Sequence, residues 1–172
     1  LVSISRSAFQ GNFTGRFRRF HLEVPSTQPP TFFYVDKIFL NIQDATNSPP
    51  ITSTTTITQS TTTPTVPPPT TPTTTQVVLF DDFPSDLVFH GIKVINNSAL
   101  AHSGSWLLEV TPGNFWKKGG DWLEFTPVTL GATDKLEFYL RTKQGTYTDS
   151  FYIWLSNGTQ SSQAVDIRPY LP

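Results

Sequence analysis

Aromatic, acidic and amide side chains set in turn-forming stretches are where this chain could do chemistry. Trp116 lies in the polar run Asn114-Phe115-Trp116-Lys117-Lys118-Gly119-Gly120-Asp121. An indole placed there could carry a sugar, because its negative face attracts the electropositive C–H side of a sugar ring. Lys117, Lys118 and Asp121 could then hydrogen-bond the hydroxyls. The competing reading, Trp116 folded down as core, weighs more, since large aromatics are usually well buried. Trp106, Trp122 and Trp154 fall inside strand-like runs and are read as core.

Catalysis finds little to work with. His21, His90 and His102 are scattered without metal-ligand spacing. There is no nucleophile elbow and no phosphate loop. Glu109, Glu124 and Glu137 each sit on a different expected strand, alternating with Leu and Phe as solvent-facing residues do. The expectation is a protein that is not an enzyme. Arg16, Arg18 and Arg19 form the one basic cluster, read as a solvated strand face.

Modification chemistry is better represented. Asn12-Phe13-Thr14, Asn96-Asn97-Ser98 and Asn157-Gly158-Thr159 are N-glycosylation sequons near expected turns. Asn157 is the best placed, because Asn-Gly favours a hairpin turn. Residues 45–76 are built almost wholly of Thr, Pro and Ser. Such a stretch has too little apolar surface to offset the entropy of packing. Its composition is that of an O-glycosylated stalk, with Thr52, Thr54, Thr55, Thr56, Thr58, Thr61, Thr62, Thr63, Thr65, Thr70, Thr71, Thr73, Thr74 and Thr75 as acceptors. In a polyproline-II path about thirty residues reach on the order of 90 Å.

The elements that must position these residues read as strands. The chain has 172 residues, 13% of them aromatic, with no cysteine, so disulfides and thiolate metal sites are excluded. A formal net charge of −1 argues against nucleic acid or a polybasic membrane surface. No apolar run approaches the length of a membrane span. In residues 1–44, short strands are expected at 1–5, 20–24 and 32–40, too few to stand alone. In residues 77–172, strands are expected at 77–80, 87–95, 105–110, 121–125, 135–142, 150–155 and 164–168, separated by Gly, Asn and Pro. The fold class is all-β, an antiparallel sandwich or jelly roll.

Several of these runs resemble a known family. Leu79-Phe80-Asp81-Asp82-Phe83, Ser103-Gly104-Ser105-Trp106-Leu107-Leu108-Glu109-Val110, Trp122-Leu123-Glu124-Phe125 and Asp134-Lys135-Leu136-Glu137-Phe138-Tyr139-Leu140 look like the opening two-thirds of a galactose-binding-like jelly roll of the carbohydrate-binding-module type. Its closing segments resemble Ser7-Ala8-Phe9 and Phe33-Tyr34-Val35-Asp36-Lys37-Ile38-Phe39-Leu40, which here come first. Residues 77–172 followed by 1–44 would make one such domain. The resemblance implies that acidic residues near the first and last strands, Asp36, Asp81 and Asp82, could start a structural calcium site. Calcium wants roughly six to eight oxygens, and the missing ligands favour plain solvated strand ends. No other cofactor is expected.

The reversed order has three explanations: a circular permutant, a window from a tandem array, or a subunit whose first strands complete a neighbour. The last two give head-to-tail contacts that need not close, and hence a filament. The expectation is a secreted structural subunit of a glycosylated fibre, its partners being further copies and covalent glycans. The alternative is a non-catalytic module on a mucin-like tether that binds polysaccharide.

Overall fold

Apolar and polar residues alternate in Phe17-Arg18-Arg19-Phe20-His21-Leu22-Glu23, which sends Phe20 and Leu22 to one side and His21 to the other. The same period runs through Leu136, Phe138 and their less buried neighbours. Period two makes strands, and eleven are present in the computed structural model, which describes residues 1–11, 16–24, 33–43, 74–82, 87–110, 121–142 and 151–171. They are β1 (Val2–Ser5), β2 (Arg16–Glu23), β3 (Phe33–Gln43), β4 (Thr74–Phe80), β5 (Val88–His90) and β6 (Lys93–Asn96). Then come β7 (Trp106–Val110), β8 (Asp121–Thr129), β9 (Lys135–Thr142), β10 (Tyr152–Ser156) and β11 (Val165–Asp166).

Two antiparallel sheets result. One runs β1-β9-β3-β7-β6, with β4 also on β3; the other runs β11-β10-β2-β8-β5. Their inner faces share one core, including Phe17, Phe20 and Leu22 from one sheet and Val35, Leu136 and Phe138 from the other. Phe20 meets Phe138 across it, ring centres 5.7 Å apart. Burying a phenylalanine fully contributes roughly 2–3 kcal/mol, so this facing pair is a main source of cohesion. The arrangement is that of a β-sandwich.

The expected strand at 87–95 is in fact two. Gly91 takes φ +74, and there the chain leaves β5 in one sheet for β6 in the other. A Cβ on Gly91 would sit 1.8 Å from the Asp121 carboxylate, so any other residue would strain the backbone and displace Asp121.

The first three strands do not pair with one another. β1 pairs β9, β2 pairs β8 and β10, and β3 pairs β4, β7 and β9. Residues 1–43 are therefore completed by residues 74–171, as their complementary patterns imply, but the partner here is the same chain. Donation of the first strands to a neighbouring copy is not the arrangement of this structure. The ladder Leu40↔Val77, Asn41↔Gln76, Ile42↔Thr75, Gln43↔Thr74 brings Gln43 and Thr74 side by side. The segment itself lies outside the described residues, apart from Thr74 onward.

Candidate functional site

The residues singled out in the sequence scatter over the structure. Trp116, Lys117 and Lys118, and the sequon at Asn12, lie outside the described residues, as do the threonines from Thr52 to Thr73. Thr74 and Thr75 are exposed at the start of β4. Asn96 is exposed at the end of β6. Asn157 opens a turn in which its Oδ1 accepts the backbone N–H groups of Thr159 (2.9 Å) and Gln160 (2.8 Å). Asp121 does not reach out toward a sugar. It is 3% exposed, its carboxylate pressed against Gly91.

Asp36, Asp81 and Asp82 are not gathered as metal ligands; among the described residues no group of three or more His, Asp or Glu could hold a metal ion. Two of the three instead fasten the turn before β7. Buried Asp36 accepts the backbone N–H groups of Lys37 (2.7 Å), His102 (2.5 Å) and Ser103 (3.2 Å). The Ser103 hydroxyl donates to Asp81 at 2.5 Å. Lys37 takes φ +46, at the irregularity where β3 changes neighbour from β7 to β4. A left-handed lysine costs about 1 kcal/mol, offset by the contacts Asp36 makes there.

Sequence reasoning missed the outer face of the five-stranded sheet. One register row crosses four strands: His90 on β5 opposite Trp122 on β8, Trp122 opposite His21 on β2, and His21 opposite Trp154 on β10. His90 stacks on Trp122 at 4.4 Å and 22°, and His21 on Trp154 at 4.8 Å and 10°. His21 and Trp122 are tilted by 41° at 5.7 Å. Rings at the strand spacing stand side by side, like books on a shelf, with His21 and Trp154 buried in the row. Trp154 is buried, as its core reading expects, and Trp122 is half-buried, but both lie on the outer side of this sheet and outside the cluster between the two sheets. A signal existed, because Trp122 shares its parity with Glu124, and His21 with Arg19 and Glu23.

Beside this row Arg18 and Arg19 both reach Glu124 at 2.8 Å, and Arg19 also lies over the Trp122 ring. Burial pushes the Glu124 carboxyl up, but the Arg19 hydrogen bond and the nearby positive charges outweigh it and leave it below its ordinary value. His21 is lowered to about 4, first by burial and then by Arg19. It is neutral at pH 7, with Nε2 2.8 Å from the Ser156 hydroxyl. Its Nδ1, the Trp122 Nε1 and the Arg18 Nε are buried without a hydrogen-bond partner. Orphaned polar atoms are uncommon in folded proteins, and here three share one patch.

Comparison with protein-family models, curated proteins and solved structures gave no match. The class the fold defines is an all-β protein of two antiparallel sheets. Among the described residues no helix is long and apolar enough to cross a membrane.

Proposed function

We propose that this protein is a non-catalytic structural subunit of an extracellular, glycosylated fibre, in which jelly-roll units join head-to-tail by exchanging their first strands. One observation carries the reading: every ladder of β1, β2 and β3 is made to residues from Thr74 onward, across the Thr/Pro segment or at its far end. Contacts that cross a long tether are the same whether made within one chain or between two, so exchange needs no new interface. Closing a loop of about thirty residues costs about 3 kcal/mol of chain entropy, and Pro-rich extension raises that cost. Glycans clustered on the threonines would stiffen the segment further and favour partners in trans. Each exchanged copy still offers its own unfilled sandwich, so the assembly grows rather than closes.

Light scattering and electron microscopy of the glycosylated protein test this. Fibre assembly predicts concentration-dependent rods whose mass per length fits one sandwich per repeat. Strict monomers at all concentrations, with glycans intact, would overturn it.

A further inference from the structure

We infer that the outer face of the other sheet, the one containing β3, β7 and β9, binds a small organic carboxylate with a flat apolar ring. The site is the cavity between that face and the turn before β7, with Arg141 holding the carboxylate. This goes beyond fibre assembly. The cavity lies where β3 meets β7 and β9, so a strand received from another copy would build the same walls.

One register row crosses four strands here. Lys93 on β6 lies opposite Glu109 on β7, Glu109 opposite Tyr34 on β3, and Tyr34 opposite Arg141 on β9. The charges along it are matched except at the last position. Lys93 reaches Glu109 at 3.1 Å. Burial, then the charge and hydrogen bond of Glu109, hold the Tyr34 phenol above its ordinary value, so it stays a donor to that carboxylate. In the next row Asp36 has both oxygens occupied, Oδ1 by the Lys37 N–H and Oδ2 by those of His102 and Ser103. Arg141 donates to the Ala99 carbonyl at 3.3 Å and, among the described residues, is in no ion pair. It is exposed, so a ligand can reach it. Its planar fork matches a carboxylate with two N–H groups at once.

Beside Arg141 the cavity encloses about 370 Å³, the small end of the range for ligand pockets. The walls open to a ligand are the half-buried Leu100 and Ala101 of the turn and half-buried Tyr139, on which the exposed His102 ring stacks at 3.3 Å and 13°. These groups set the body of the ligand. A sugar acid would lay hydroxyls against Leu100 and Ala101 without hydrogen-bond partners, which costs free energy, whereas a flat apolar ring loses nothing there. A neutral ring would leave the guanidinium unmatched. Charge and apolar surface together select a ring-bearing carboxylate.

Equilibrium dialysis of the full glycosylated chain tests this, and it reads monomers and fibres alike, so its result is separate from that of assembly. The probes are 2-naphthoate, its neutral amide 2-naphthamide, and glucuronate as the sugar acid. The expected result is saturable binding of one 2-naphthoate per chain, with the amide and glucuronate each at least tenfold weaker. R141Q and L100D should each weaken 2-naphthoate at least tenfold. R168Q, on the other sheet, should leave it unchanged. Circular dichroism checks that the variants keep their fold; should one lose it, the preference of the unaltered chain for naphthoate over naphthamide decides. Absence of saturable naphthoate binding overturns the inference. So does an amide or glucuronate that binds as tightly, or full affinity in a folded R141Q.

Discussion

Residues 1–43 and residues 74–171 contribute to the same sandwich in different ways. Among the described residues, the later part keeps three ladders of its own, β5–β8, β6–β7 and β10–β11, whereas the earlier part keeps none. Yet β2 and β3 sit inside their sheets, flanked on both sides by later strands. The aromatic contacts repeat the pattern: Phe17 meets Phe125, Phe20 meets Phe138, and Phe33 meets Phe151. A minority of the residues thus supplies the middle of both sheets and holds nothing together alone. Cohesion concentrates at the junction of the two parts, the junction at which exchange is proposed.

The largest effect should come from emptying that junction. Phe20→Ala removes a fully buried ring facing Phe138 and should cost about 3–5 kcal/mol in urea unfolding. Val88→Ala, within the later part's own β5–β8 ladder and 50% exposed, should cost less than about 0.5 kcal/mol. Equal losses would remove the contrast.

Acid comes next. His21 lies on β2, in the earlier part, and is lowered from 6.5 to about 4 by burial and then by Arg19. The unfolded chain therefore takes up a proton that the folded chain resists. Stability is full above about pH 6.5, falls as pH drops from there toward 4, and changes no further below that on this group's account. Between pH 7 and 4.5 the loss should be about 2–3 kcal/mol. His21→Gln should flatten that stretch of the pH profile; an unchanged slope would assign it elsewhere.

Asp36 ties the earlier part to the turn before β7. Asp36→Ala would strand the His102 and Ser103 backbone donors and should cost about 1–3 kcal/mol. Local hydrogen exchange should rise at residues 99–105 before it rises in β9. Smallest of all, Lys37→Gly relieves the left-handed backbone and should be neutral or stabilise by up to about 1 kcal/mol. A clear loss would mean that the Lys37 side chain, 3.9 Å from Asp81, outweighs the strain.

Much of this framework was legible because period-two patterning is a local signal. The run at 135–142 coincides with β9, and the strong apolar run at 32–40 is most of β3. Complementarity of the flanks was legible too, since strands with apolar faces and too few neighbours must find others. Two things were not. Gly91 inside an apolar run carries no mark of the sheet change that its positive φ allows. The outer aromatic row was hidden because tryptophan is read as core by size, whereas parity with Glu124 decides its side. The choice between partners in cis and in trans has no local signature, because the register is the same for both.

That choice is open to one direct measurement. The chain has no cysteine, and Gln43 and Thr74 are exposed partners in the last rung of the β3–β4 ladder. In a Gln43→Cys, Thr74→Cys variant, glycosylated and oxidised at assembly concentration, strand exchange predicts a ladder of covalent multimers on a non-reducing gel that collapses to monomer on reduction. A disulfide formed quantitatively within single chains, with no multimers, would contradict it.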